Sequence, residues 1–167
     1  MTPQVIFDRV RIVLCRTSHP GNIGAAARAM KTMGLSRLYL VQPLCAVDEV
    51  ATARAAGADD VLVAAEVCGS LAEALGGCVH AAALSARLRD LGPVAVGVRE
   101  AVGPLLAQTA VGDVALVFGN ETSGLSNEEL QCCQQAVTIP SNPAYSSLNL
   151  GAAVQVMSYE LRMAALT

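Results

Sequence analysis

Short apolar runs alternate with helix-patterned stretches along almost the whole of this 167-residue chain. The apolar runs cover residues 10–15, 37–41, 61–64, 79–84, 114–118 and 136–139. Runs of this length without polar alternation are typical of strands that are buried on both faces. Helices are predicted between and after them, over residues 22–33, 48–56, 70–75, 98–108, 126–133 and 147–165. Strands alternating with helices predict an α/β fold in which helices cover a parallel sheet.

Local signals support several of these boundaries. Glycine just past a helix end is a C-cap signal, and the first three helices are closed in this way by Gly34, Gly57 and Gly76. Ser126 and Glu129 have the spacing of a capping box. The least regular stretch, residues 85–97, contains Arg87, Arg89, two glycines and a proline, and is therefore predicted to be a mobile loop.

Composition narrows the class of protein. A hydrophobic content of 53% over this length is enough for one buried core, so residues 1–167 are predicted to form a single domain. No apolar run approaches the roughly 20 residues of a membrane span, and the first residues do not resemble a signal peptide. We therefore expect a cytoplasmic protein without a membrane partner. Six scattered cysteines without a C-x-x-C pair, and only two histidines, predict neither a metal site nor a disulfide framework.

Charge is distributed unevenly along the chain. The net charge is -3, yet residues 1–40 carry six cations against one acid. Phosphate binding depends on a local basic face rather than on the total charge, so this quarter is a candidate surface for nucleic acid. The alternative is a solvated charged surface with no such partner.

Two segments near the C-terminus predict a ligand site. Residues 116–126 and 139–151 each begin as an apolar strand, pass through a polar turn rich in Gly, Ser or Asn, and restart as a helix. Both turns are therefore expected at the carboxyl edge of one sheet, where ligands of open α/β sheets bind. Gly119 and Gly124 would allow a ligand to approach the backbone closely. Glu121, between them, could orient helix NH groups or an arginine of a partner subunit.

A third segment lies near the N-terminus. Asn22 and Gly24 begin a predicted helix directly after a turn, and the free NH groups of such a helix end form an anion site that could hold an RNA phosphate. The alternative is that Asn22 only caps the helix. Arg28, which is surrounded by alanines, has no carboxylate three or four residues away to pair with, and this favours an external partner.

The three segments, taken in order, resemble the motifs of the SPOUT RNA methyltransferases, specifically the TrmH (SpoU) family of ribose 2'-O-methyltransferases. The motifs are N-x-G-x-x-x-R from Asn22, G-x-E-x-x-G from Gly119, and residues 139–151. The resemblance covers residues 11–162 approximately. It implies a Rossmann-like SPOUT fold with a C-terminal trefoil knot, a homodimer, S-adenosyl-L-methionine as cofactor, and RNA as substrate.

The resemblance also implies roles for individual residues. Residues that would bind the cofactor are Leu84, Ser85, Ala86, Gly119, Gly124, Ile139, Ser146, Ser147 and Leu148. Residues that would serve catalysis are Arg28, Asn22, Glu121, Ser147 and Asn149. Among them, Arg28 would act on the ribose 2'-hydroxyl or on the adjoining phosphate. No metal is implied.

The substrate is expected to be tRNA, methylated on cytidine or uridine at the first nucleotide of the anticodon loop, because residues 85–89 resemble the arginine-bearing loop of the tRNA-modifying members. One alternative is an rRNA 2'-O-methyltransferase of the same family. Another is a non-catalytic RNA-binding dimer that keeps the fold. A dinucleotide-dependent oxidoreductase is disfavoured, because the chain has no G-x-G-x-x-G fingerprint.

Overall fold

A computed structural model describes residues 2–85, 95–146 and 148–167 of the chain. Within these residues, seven strands form one sheet. They are β1 (Val10–Cys15), β2 (Arg37–Val41), β3 (Glu66–Cys68), β4 (Cys78–Leu84), β5 (Ala95–Gly97), β6 (Asp113–Phe118) and β7 (Gln135–Thr138). The order across the sheet is β3-β2-β1-β6-β4-β7-β5, and every pairing is parallel. The predicted α/β class with a parallel sheet is therefore confirmed.

Eight helices surround the sheet in the described part of the chain. They are α1 (Pro3–Phe7), α2 (Pro20–Thr32), α3 (Glu49–Ala55), α4 (Asp59–Val63), α5 (Leu71–Ala74), α6 (Val98–Ala107), α7 (Asn127–Gln131) and α8 (Leu150–Leu166). In the same ranges, no helix combines the length and the apolar character that a bilayer crossing requires.

Both faces of the sheet are covered, as the apolar strand pattern predicted. In β1, Ile12 and Leu14 belong to a large core with residues of α2, α6 and α8, whereas Val13 and Cys15 face a smaller core with Leu71 of α5 and Leu130 of α7. Alternate residues of a strand point to opposite faces, so continuous apolar runs are needed to fill two cores. Burial also raises the pKa of the Cys133 thiol in the smaller core to about 12.

One strand prediction is wrong. Residues 61–64 belong to helix α4 and to the turn that follows it, because Asp59 and Asp60 supply acidic residues to the first turn of a helix whose Val61 and Leu62 are buried in the large core. The strand of this region is β3, which begins two residues after the run ends. It is an edge strand of three residues with two of them exposed, so it leaves no apolar run in the sequence.

The other edge of the sheet was also not foreseen. Of the loop predicted over residues 85–97, residues 86–94, with Arg87 and Arg89, lie outside the described residues, and Ala95–Gly97 forms the edge strand β5. The capping box of Ser126 and Glu129 is confirmed at the start of α7. The knot implied by the family resemblance stays a prediction.

Candidate functional site

A cavity of about 290 Å³ opens where β4, β6 and β7 end. These three strands are neighbours in the sheet, and their carboxyl ends meet at the same edge, where ligands of open α/β sheets bind. The predicted cofactor residues that line the cavity are Leu84, Ser85, Gly119, Gly124, Ile139, Ser146 and Leu148. The two remaining ones, Ala86 and Ser147, lie outside the described residues.

The loop after β6 is closed on itself by main-chain contacts. The Asn120 NH donates to the Gly124 carbonyl at 3.3 Å, and the Gly124 NH donates to the Asn120 carbonyl at 2.9 Å. Gly124 has a φ of +68°, in the left-handed region that favours glycine. A Cβ on Gly119 would lie 2.7 Å from the Gly124 carbonyl oxygen and closer still to the Leu125 nitrogen. Glycine is therefore required at position 119 by the closure of the loop itself, whereas the sequence had suggested only a close approach by a ligand.

Glu121 leaves this loop and binds the start of α2. Its carboxylate accepts hydrogen bonds from the main-chain NH of Ser18 at 2.9 Å, from that of His19 at 3.0 Å, and from Asn22 Nδ2 at 2.9 Å. Burial opposes ionisation, but hydrogen bonds from Asn22 and the Ser18 amide outweigh it and lower the pKa of Glu121. An internal carboxylate thus occupies amides at the beginning of α2, where the sequence had predicted an RNA phosphate.

Asn22 lies inside the helix and does not cap it. Because α2 begins at Pro20, two residues earlier than predicted, the N-cap position belongs to His19, whose side chain makes no capping bond. The amide of Asn22 instead joins the two other motifs, since it donates to Glu121 and accepts from Asn149 Nδ2 at 3.3 Å. The capping interpretation of Asn22 is therefore wrong.

Asn149 is the residue that caps α8. Its Oδ1 accepts from the Gly151 NH at 2.9 Å, while its Nδ2 donates to Asn22. The predicted helix start at residue 147 is therefore too early, because the helix begins at Leu150. Asn149, Asn22 and Glu121 form one chain of hydrogen bonds that connects all three sequence motifs.

Three arginines of the N-terminal quarter have partners within the protein. Arg11 and Arg37 both bind Asp113, with nitrogen to oxygen distances of 3.0 and 2.7 Å, and Arg9 donates to the Thr109 carbonyl. Arg11, Arg37 and Asp113 stand at or near the first residues of their strands, and so lie at the sheet edge opposite to the cavity. Two of these arginines share one carboxylate, and all three contacts lie away from the cavity, so the basic surface predicted for this quarter stays a prediction.

Arg28 differs from these cations. It is exposed on α2, and within the described residues it has no hydrogen bond and no ion pair. It lies six residues beyond Asn22, which is about 9 Å along the helix axis, and it is not among the residues that line the cavity. The described cavity lining contains neither lysine nor arginine, so this chain's own Arg28 does not complete the site.

Sequence reasoning missed two residues at the cavity loop. Asn120 donates to the Arg16 carbonyl, and the Arg16 guanidinium donates to the Gly124 carbonyl of the loop, but Arg16 was counted only among the cations near the N-terminus. Its position directly after a predicted strand, at the carboxyl edge, was the available signal.

In the described ranges, no group of three or more His, Cys, Asp or Glu side chains is placed to hold a metal ion.

Comparisons with known proteins relate the chain to RNA methylases. A family model described as the SpoU rRNA Methylase family matches residues 9–159. The chain is 56% identical over 160 residues to the tRNA (cytidine/uridine/adenosine-2'-O-)-methyltransferase TrmJ of Pseudomonas aeruginosa (strain UCBPP-PA14), covering 95% of this chain and 62% of that protein. It is 52% identical over 159 residues to the tRNA (cytidine/uridine-2'-O-)-methyltransferase TrmJ of Escherichia coli (strain K12), covering 95% of this chain and 65% of that protein. The chain thus spans slightly less than two thirds of the length of these curated relatives.

A solved structure gives the same relationship. The crystal structure of TrmJ from Z. mobilis ZM4 matches with a TM-score of 0.86 at 36% identity, covering 92% of this chain and 69% of that one. At this level of similarity the arrangement of strands and helices is shared over nearly all of the chain.

Proposed function

The chain belongs to the SpoU rRNA methylase family, and from this premise we propose that it is an S-adenosylmethionine-dependent RNA ribose 2'-O-methyltransferase. The observation that carries the proposal is the cavity at the carboxyl edge of the sheet. Beside it, Glu121 and Asn149 are both hydrogen-bonded to Asn22. The substrate we propose is tRNA in the cytoplasm, methylated on cytidine or uridine at the first nucleotide of the anticodon loop. The tRNA 2'-O-methyltransferase activities of the TrmJ relatives support this choice of RNA.

The cavity fits an adenosyl group with a sulfonium side chain. Apolar side chains of Leu84, Ile139 and Leu148 can cover an adenine ring, and the loop after β6 offers main-chain groups for hydrogen bonds. When bound, S-adenosylmethionine supplies an electrophilic methyl group. The loop residues therefore have to hold that group in line with a hydroxyl, at about 3 to 3.5 Å, and to exclude water.

Arg28 is the residue we assign to the RNA. An arginine stays protonated in proteins, so we assign it the role of a cation that holds the phosphate beside the reacting ribose and stabilises the developing alkoxide. The hydroxyl proton passes to phosphate or water. Because Arg28 is exposed, has no partner among the described residues and does not line its own cavity, we propose that it acts at the cavity of a second copy of the chain.

A homodimer is therefore part of the proposal. Helix α8 presents an apolar stripe whose residues follow the heptad spacing of 4, 3, 4 and 3: Ala152, Val156, Tyr159, Met163 and Leu166. The last three of these side chains are each more than two fifths exposed. Apolar side chains at this spacing on one exposed helix face are suited to packing against another subunit. Sedimentation equilibrium should give twice the 17.1 kDa mass of the chain, and an active monomer would contradict the arrangement.

The test of function is transfer of labelled methyl from S-adenosylmethionine into total tRNA and, separately, into rRNA, followed by mapping of the modified nucleotide. Arg28→Ala should leave cofactor affinity within a few fold and reduce transfer by at least ~100-fold, the range of lost charge stabilisation. Lys31→Ala is the matched control, since Lys31 lies on the same helix but is already paired with Asp60. Its rate should equal that of the wild type.

The alternatives predict other results. Labelling of rRNA alone would favour the rRNA enzyme, and RNA binding without any transfer would favour a non-catalytic dimer. If Arg28→Lys restores much of the rate, a positive charge is sufficient. Full activity in Arg28→Ala would remove this residue from the site.

A further inference from the structure

Arg16 has an unusual backbone at the point where β1 ends. Its φ is +53°, in the left-handed region, which is disfavoured for a residue with a Cβ. Main-chain bonds hold it there: its NH donates to the Val41 carbonyl at 2.8 Å, and its carbonyl accepts from Asn120 Nδ2 at 2.7 Å. This backbone directs the side chain of Arg16 toward the loop after β6, which it contacts.

The guanidinium of Arg16 is bound on two sides. Nε and Nη2 donate to the two carboxylate oxygens of Glu129 at 3.0 and 2.8 Å, in the bidentate geometry that makes arginine pairs strong. Nη2 also donates to the Gly124 carbonyl at 2.9 Å. Glu129 is itself held by the capping box with Ser126, so it is a fixed anchor at the start of α7.

These contacts reach both ends of the cavity loop. Asn120 at its beginning binds the Arg16 carbonyl, and Gly124 at its end binds the Arg16 guanidinium. Phe118 and Leu125 are buried on either side of the loop, but none of the residues 119–124 between them is buried or apolar. The position of the loop between these ends therefore depends on polar contacts. The contacts with Arg16 connect the loop both to the end of β1 and, through Glu129, to α7.

We propose that Arg16 and Glu129 are positioning residues, which hold the loop 119–124 in the shape that binds the adenosyl cofactor before the cofactor arrives. This inference rests on the proposed function for the identity of the ligand. The physical reason is preorganisation: a loop that is already ordered loses less conformational freedom on binding, and affinity rises accordingly. Charged hydrogen bonds contribute enough for their loss to cost tenfold or more in affinity.

The informative variant is Arg16→Gly. Glycine adopts a φ of +53° freely, so removing the strain offsets part of the lost ion pair, and the melting temperature should stay within a few degrees of the wild type. Glu129→Gln is its counterpart, because glutamine preserves a capping box while removing the charge. Arg99→Ala is the control, since it breaks an exposed ion pair with Glu160 between α6 and α8.

Three measurements separate positioning from stability. Amide hydrogen exchange of the peptide covering residues 119–126, in protein without any ligand, should be about tenfold faster in Arg16→Gly and in Glu129→Gln. The calorimetric Kd for S-adenosylmethionine should rise by about tenfold in each. The double variant should be no worse than Arg16→Gly alone, because the two residues act as one pair. Arg99→Ala should change neither loop exchange nor Kd.

Wild-type loop exchange and wild-type cofactor affinity in Arg16→Gly would overturn the proposal, and so would additive losses in the double variant. A wild-type protein that fails to bind S-adenosylmethionine would contradict the proposed function instead. The exchange experiment would still decide whether Arg16 holds the loop, since it uses no ligand.

Discussion

Replacing Gly119 by alanine tests how the cavity loop is built. A Cβ at this position would lie 2.7 Å from the Gly124 carbonyl oxygen, and still closer to the Gly124 carbonyl carbon and the Leu125 nitrogen. These are backbone atoms, so no side chain can rotate away to make room. Segment 119–125 would have to open, which breaks the pair of hydrogen bonds between Asn120 and Gly124.

The magnitude follows from this geometry. Overpacking against atoms that cannot move costs about 1–3 kcal/mol. For a domain of this size, each kcal/mol lowers the melting temperature by roughly 2–4 °C. We expect Gly119→Ala to unfold about 2–12 °C lower than the wild type. Because Gly119 and Gly124 both line the cavity, its affinity for S-adenosylmethionine should fall by at least about tenfold.

Two other glycines serve as matched controls. Gly124→Ala meets no atom within 4 Å, so it should cost only the roughly 1–2 kcal/mol of a left-handed backbone. Gly103→Ala also meets no atom within 4 Å apart from its chain neighbours; alanine favours the helix α6, but its Cβ crowds the following Pro104, so the melting temperature should stay close to that of the wild type. Scanning calorimetry and cofactor titration of all three variants are the assays. The reasoning is refuted if Gly119→Ala binds cofactor normally and melts no lower than Gly124→Ala.

Three further predictions concern charge and cofactor chemistry. Asp113→Ala should lower the free energy of unfolding by about 2 kcal/mol, because Arg11 and Arg37 lose their shared carboxylate. Cofactor affinity should persist, since this cluster lies at the opposite edge of the sheet from the cavity. A large rise in the Kd for S-adenosylmethionine would contradict that separation. Burial opposes ionisation of Glu121 and Glu129, but hydrogen bonds outweigh it and hold their pKa values below the ordinary glutamate value of 4.5. The stability that these carboxylates contribute should therefore be complete above that pH and lost as the pH falls through their folded-state pKa values. Urea titrations between about pH 5 and pH 3 will detect the loss. Methyl transfer should survive chelation by EDTA when the RNA is kept folded by other means, because a sulfonium methyl needs no Lewis acid; loss of cofactor binding on chelating the protein alone would count against this.

The central strands could be predicted from the sequence and the edge strands could not. β1, β2 and β6 carry continuous apolar runs because both of their faces are buried, and the predicted runs agree with them to within one residue. β3 and β5 have three residues each and stand at the two edges of the sheet, so burial imposes no pattern on them. The apolar run at residues 61–64 was misread because a buried helix turn and a short buried strand look alike.

The site was predictable to a similar degree. Positions that follow a strand could be assigned to the cavity edge from chain order alone, as for Ser85 and Gly119. The partners of Glu121 and Arg16 could not, because they lie 99 to 113 residues away and depend on which strands become neighbours. The internal use of most N-terminal cations was hidden for the same reason.

The pairing of β1 with β6 also determines when the sheet of this protein can form during translation. Val10 pairs with Val114, so the centre of the sheet cannot form until more than one hundred residues have been translated. At ribosomal rates this delay is on the order of 5–20 s. During it, one edge of β1 is unpaired and its apolar side chains are incompletely covered, which leaves β1 open to chaperones and to aggregation. Contacts this distant also slow refolding, so a denatured sample should recover cofactor binding slowly compared with helical proteins of equal length.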